Sequence, residues 1–307
     1  MHRQGMYRSI LVPYDGSAPS ARTLPLAAAI ARHTGASVRV AIVHDPSAYI
    51  PFVPGEVAIP VYDQELVATH RRHDQELLDA AVAQFAAAGV NVTGALLEGT
   101  IVEALEEHAQ QIGVDLTIMG THGRSGFERL RLGSIATAYL TRATMPVLLV
   151  PGAESYTPGE LPTGPLLCPL DGSPFAEEIL PHARTFAEAI GTRLHLIGVA
   201  VPHAIPMAPF GAEALLADGQ ALEAETSGRK EYLARIAAGY PSGTTWSAIS
   251  DMSVARAIED AVKDLGAGTV AMATHGRGGF KRLVLGSVTD EVLRGAEVPV
   301  LVFRPQH

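Results

Sequence analysis

Residues 121–134 read THGRSGFERLRLGS and residues 274–287 read THGRGGFKRLVLGS. Eleven of these fourteen positions are identical. Average residue usage would give a match at roughly one position in twenty, so the segment is a duplication. A duplication constrains the fold more than any lone motif, because what one copy forms the other must form too. The openings also match, SILVPYDGS at Ser9–Ser17 and PLLCPLDGS at Pro165–Ser173. Each copy closes on an apolar run led by proline, MPVLLVP at 145–151 and VPVLVFRP at 298–305. Between them lies PGAESYTPGELPTGP (151–165), rich in Pro and Gly and without period, which reads as a linker. The expected organisation is a first domain over 1–152, a linker over 153–164 and a second domain over 165–307. A chain of 307 residues suits two domains.

Within each copy, short β-rich runs alternate with longer helical patterns. The first copy's expected strands are Ser9–Tyr14, Val38–His44, Asn91–Leu97, Leu116–Gly120 and Val147–Val150. Its expected helices are Ala18–Thr34, closed by Gly35, then Thr69–Ala88, Ile101–Ile112 and Ser134–Ala143. The second copy repeats the strands at Leu166–Leu170, Leu194–Val199, Thr245–Ile249, Thr269–Ala273 and Val300–Phe303. This alternation means βαβ units, hence an α/β fold with a doubly wound parallel sheet in each half. A Pro-rich excursion follows each second strand, at Asp45–Asp63 and Pro202–Gly211. Both are long for βα loops and read as lids, interfaces or plain insertions.

Composition excludes several classes. The net charge of −9 is shared evenly, −4 over residues 1–155 and −5 over the rest, so neither half carries a nucleic-acid footprint. No apolar run approaches the roughly 20 residues of a spanning helix, and the start lacks a signal-peptide core, so a cytoplasmic protein is expected. A single cysteine, Cys168, excludes an internal disulfide and reads as a buried inert thiol. His70 and His73 are spaced i,i+3 on a helix, but no third metal ligand accompanies them. There is no Lys before residue 230, so a phosphate site in the first half must use Arg, hydroxyls or backbone N–H groups.

The repeated segment has the parts for that. Gly120, Gly123 and Gly133-Ser134 follow an apolar strand and open a helix. Glycines permit positive φ and close backbone approach, and a helix start favours an anion. The Ser134 hydroxyl either caps the helix or donates to a phosphate oxygen. The spacing is neither a Walker A loop nor GxGxxG. Asp15 in the D-G-S after the first strand is either a turn-and-cap residue or a ligand.

Gly120-x2-Gly123-x9-Gly133-Ser134 matches the G-x2-G-x9-G-[ST] motif of the universal stress protein family. The opening SILVPYDGS and the closing MPVLLV also resemble it, so the chain is similar to a tandem of two such domains over nearly its whole length. The resemblance implies five-stranded sheets of order 3-2-1-4-5, paired through their last strands about a pseudo-two-fold. It implies ATP, with Mg²⁺, bound at Asp15 and Val43 by the adenosine and at Gly120, Gly123, Gly133 and Ser134 by the phosphates. The corresponding second-half positions are Asp171, Val199, Gly276, Gly286 and Ser287, with Ala273 in place of the first motif glycine. If that position needs positive φ, Ala costs about 1 kcal/mol or more; if it needs only close backbone approach, a methyl is tolerated.

Arg124 and Arg277 are the cations best placed to offset phosphate charge; Arg129, Arg131, Lys281 and Arg282 read equally as solvated surface. His122 and His275 are either ligand contacts or backbone caps. No catalytic set is identified. The expected function is a nucleotide-dependent stress sensor or adaptor with an unnamed protein partner, as a monomer of tandem domains or a homodimer. A slow ATPase, a pure interaction protein and an enzyme using an adenylylated intermediate are the rivals.

Overall fold

The structure, a computed structural model, describes residues 7–45, 64–121, 132–152, 160–202, 212–241, 243–274 and 285–305. The chain divides into two compact units at Leu161/Pro162. The first contains β1 (Ser9–Pro13), α1 (Ala18–Ala21), α2 (Thr23–Thr34), β2 (Ser37–His44), α3 (Gln64–Ala87), β3 (Val92–Glu98), α4 (Ile101–Gln111), β4 (Leu116–Gly120), α5 (Ser134–Leu140) and β5 (Val147–Val150). The second contains β6 (Leu166–Pro169), α6 (Pro174–Glu177), α7 (Leu180–Ile190), β7 (Leu194–Ala200), α8 (Ala212–Ala238), β8 (Thr245–Ser250), α9 (Val254–Leu265), β9 (Thr269–Ala273), α10 (Ser287–Gly295) and β10 (Val300–Phe303).

In the first unit β1 pairs in parallel with both β2 and β4, β2 with β3, and β4 with β5, so the order is 3-2-1-4-5. In the second unit the equivalent pairings give β8-β7-β6-β9-β10, the same order. The chain leaves β1 in one direction and returns to its other side as β4. That reversal opens a crevice at the carboxyl ends of β1 and β4, where ligands of open α/β sheets bind. Central strands are covered on both faces, as parallel sheets require: Ile10, Leu11, Val12, Leu116 and Ile118 have no exposed surface. Each such side chain contributes about 1.5–3 kcal/mol by burial.

The predicted helix Ala18–Thr34 is two helices. Pro25 lacks an N–H, and its ring clashes with the carbonyl four residues back, that of Ala21, which is where α1 ends. Pro181 stands in the same relation to Glu177, the last residue of α6. Gly35 caps α2 in the left-handed conformation as expected, its N–H donating to Ala31 O at 2.8 Å. The end of the linker packs on the second unit, where the Thr192 hydroxyl donates to Gly164 O. Cys168 is fully buried in β6, and burial pushes its thiol up to about 12. No metal cluster of three or more His, Cys, Asp or Glu forms among the described residues. Among them, too, no helix is long and apolar enough to cross a membrane.

Candidate functional site

The D-G-S turn that follows β1 is built from its own residues. Gly16 has φ +77°, a left-handed conformation that side chains resist, and this fixes the glycine. Asp15 Oδ1 accepts from the Ser17 N–H at 3.0 Å, the Ser17 hydroxyl at 2.6 Å and the Ser20 hydroxyl at 2.5 Å. Ser17 is the N-cap of α1, accepting from Ser20 N–H. Asp15 therefore organises the turn, and it also lines a cavity at the carboxyl ends of the strands.

That cavity, about 310 Å³, lies wholly in the first unit. Asp15, Val43, Gly120, Gly133 and Ser134 all line it, although 119 residues of chain separate the first from the last. Gly133 is the N-cap of α5, with φ −58° and ψ 147°, and its N–H donates to Thr121 O at 2.7 Å. No side chain caps this helix, so Ser134 is its first residue and not its cap; the hydroxyl is exposed. Gly120 closes β4, pairs with Val150 and does not adopt positive φ. Of the two uses open to this glycine, positive φ and close backbone approach, the first does not apply. What glycine supplies there is the absence of a side chain beside the cavity.

Apolar residues form the remaining walls, among them Ile42, Ile101, Leu105 and Met119. Four polar liners are not singled out by the sequence: Tyr14, Ser20, Thr121 and Asp74. Asp74 had a visible signal. The buried stripe of α3 runs Asp74, Leu78, Ala81, Phe85, a helical period with a carboxylate in its first position.

The lining thus carries both acceptors, the carboxylates of Asp15 and Asp74, and a donor, the Ser134 hydroxyl at the start of α5. Gly123, Arg124, Gly276 and Arg277 lie outside the described residues, as do His122, Arg129, Arg131, His275, Lys281, Arg282 and nearly all of both Pro-rich excursions.

The second unit repeats the frame with substitutions. Asp171 Oδ1 accepts from the Ser173 N–H at 2.9 Å and hydroxyl at 2.6 Å, but Ala176 stands where Ser20 would be. Gly286 caps α10 and donates to Thr274 O at 2.7 Å, as Gly133 does to Thr121. Ala273 is an ordinary β9 residue paired with Phe303, so its methyl carries no left-handed strain. Thr289, in place of Ala136, donates its hydroxyl to Ala273 O at 3.0 Å. Near Asp171 the Tyr232 hydroxyl donates to Glu177 Oε1 at 2.9 Å. Burial, that hydrogen bond and the charges of Glu177 and Asp171 hold the phenol well above its usual range. Val199 ends one residue short of the β7 terminus and is buried.

The universal stress protein family model matches this chain twice, over residues 6–151 and 163–304. A universal stress protein of Mycobacterium tuberculosis is 28% identical, with 99% of this chain and 97% of the relative covered. One of Methanocaldococcus jannaschii is 31% identical over 48% of this chain and 84% of its own length. Among solved structures, a universal stress protein from Archaeoglobus fulgidus superposes with a TM-score of 0.67 at 20% identity, with 97% of each chain covered, and shares the fold.

Proposed function

The chain belongs to the universal stress protein family, with two copies of the domain in tandem, and from that premise we propose that it binds ATP in the first-half cavity. The observation that carries the reading is the convergence of Asp15, Val43, Gly120, Gly133 and Ser134 on one cavity whose lining holds both acceptors and donors. A ligand bearing both an anionic group and hydrogen-bond donors suits such a lining. The triphosphate would lie along Gly120, Gly133 and Ser134, with Gly123 and Arg124 completing its cradle. The ribose and base would lie toward Asp15 and Val43. Mg²⁺ would enter with the phosphates. The second half, through Asp171, Val199, Ala273, Gly276, Arg277, Gly286 and Ser287, would hold a second and weaker site.

The residues themselves bind and orient. Asp15 Oδ1 already accepts three hydrogen bonds, which keeps the turn rigid beside the ligand and commits that oxygen to structure. The consequence proposed for binding is regulatory: ATP favours one of two conformations and so alters a partner surface, which it can do only through differential affinity for them. The direct test is to denature the purified protein and quantify released nucleotide per chain. One or two ATP per chain supports the reading. No nucleotide, followed by no binding of added MgATP, overturns it. Hydrogen exchange with and without ATP tests the regulatory part, which fails if protection outside the cavity is unchanged.

A further inference from the structure

Asp74 is a carboxylate where the fold asks for a hydrocarbon. It occupies the core-facing stripe of α3 and is 4% exposed, beside His44, which ends β2 and is 2% exposed. The His44 Nδ1 lies 2.8 Å from Asp74 Oδ2. A leucine would satisfy the stripe, whereas a buried carboxylate carries a desolvation cost that its partner must offset. The pair is also absent from the repeat. Leu77 of α3 lies against Gly16 of the first D-G-S turn and Tyr232 of α8 lies beside Asp171 of the second; three residues before them on their helices stand Asp74 and Arg229. Arg229 pairs with Glu225 of its own helix at 2.9 Å, and Ala200 replaces His44. The duplicated scaffold therefore stands with the opposite charge at this place and without the histidine. The scaffold does not need the pair.

Asp74 lines the cavity alongside Ala41, Ile42 and Val43, the end of β2. His44 engages Oδ2, and among the described residues no donor is bound to Oδ1. A carboxylate accepts and never donates at neutral pH. It therefore favours a ligand edge bearing an amino group and disfavours one bearing a carbonyl.

The geometry points to Asp74, held in place by His44, as a specificity-determining residue that reads the 6-amino group of a purine base in the first-half site. The inference rests on the nucleotide reading above and adds which base that site accepts. Adenine presents an amine at this position; hypoxanthine and guanine present a carbonyl, whose lone pairs would face the carboxylate. A hydrogen bond to a charged group is worth enough to separate such ligands by roughly 10- to 100-fold.

The test uses the full chain carrying Gly286→Val, so that the first site is read alone, and titrates ATP, ITP and the triphosphate of unsubstituted purine riboside. The expected order is ATP tightest, the unsubstituted purine next and ITP weakest. Asp74→Asn, whose amide can donate to a carbonyl, is expected to bring the ATP-to-ITP ratio toward unity, and Asp74→Glu to keep ATP preferred. Equal binding of ATP and ITP by the parent protein overturns the assignment, and needs no variant at Asp74 to fold. A ratio unchanged in a folded Asp74→Asn overturns it as well. In both cases ATP binding itself survives. Failure of all three nucleotides to bind instead overturns the nucleotide reading, and this inference with it.

Discussion

The two halves share a sheet order, a D-G-S turn and a glycine-capped helix, yet the surroundings of their sites differ residue by residue. Ser17 N–H, the Ser17 hydroxyl and the Ser20 hydroxyl donate to Asp15 Oδ1; the Ser173 N–H and hydroxyl donate to Asp171 Oδ1, where Ala176 replaces Ser20. Gly120 leaves space where Ala273 places a methyl, and Ala136 leaves space where Thr289 places a hydroxyl. Asp74 becomes Arg229. What repeats is the backbone device, since each glycine cap donates to the threonine carbonyl after its fourth strand at 2.7 Å. What diverges is the side chains around it. Duplication preserves what the fold needs and frees what only a ligand would notice.

The largest expected effect comes from Gly133→Val against Gly286→Val. The backbone of Gly133 suits valine, so the chain should fold, but the side chain would enter the cavity. A misplacement of about 1 Å can cost roughly 100-fold, and calorimetry should show the tighter site lost from Gly133→Val alone. Equal losses from the two variants would erase the proposed ranking of the sites.

Asp15→Ala and Asp171→Ala come next. Each removes the acceptor of its turn, at about 1–3 kcal/mol of stability. Denaturant unfolding should show the larger loss for Asp15→Ala, which strands one more hydroxyl. Affinity at the tighter site should fall with Asp15→Ala and change little with Asp171→Ala.

A methyl exchange sharpens the contrast further. Gly120→Ala should weaken the first site about tenfold, and Ala273→Gly should strengthen the second by a similar factor, the scale of one methylene in a tight pocket. Neither change should alter stability by more than the glycine entropy of about 0.5–1 kcal/mol. Nucleotide affinities unmoved by both would remove this position from the site.

The smallest effect is acid sensitivity. In the second unit burial holds His182 and His195 below their ordinary 6.5; His195 is further tied by Thr245 and Ser247 hydroxyls at 2.8 and 2.9 Å. In the first unit burial, then the Arg39 charge, lowers His108. A histidine kept neutral by the fold gives stability that is present above its unfolded value. That stability is lost as pH falls from there toward the folded value, because the unfolded chain binds the proton more readily. Hydrogen exchange between pH 7.5 and 5.5 should therefore show β7 losing protection faster than β2, after correction for intrinsic rates. The reverse order would mean that these histidines are not what distinguishes the halves in acid.

Much of this was legible in one dimension. The strands were readable to within a residue or so because burial on both faces demands continuous apolar runs such as Val147–Val150. The break at Arg22 was readable in principle, since Pro25 forbids the hydrogen bond that would have carried the helix through. Four of the site positions, Gly123, Arg124, Gly276 and Arg277, lie outside the described residues. Ser20 was passed over because a serine in a turn has many ordinary uses, and Asp74 because a single acid in a helix looks like solvated charge until its stripe is known to face inward.

The sequence by itself determined the duplication, the alternation of strands and helices, and a set of glycines, a serine and an aspartate worth watching, because periodicity and repeats are properties of the chain. Only the tertiary structure decided that Gly120 serves space and not positive φ, that Ser134 does not cap its helix, and that Asp74 meets His44 at the cavity wall. Those facts depend on β1 separating β2 from β4 and on α3 packing against β2. Such long-range pairings bring together residues that no local pattern connects.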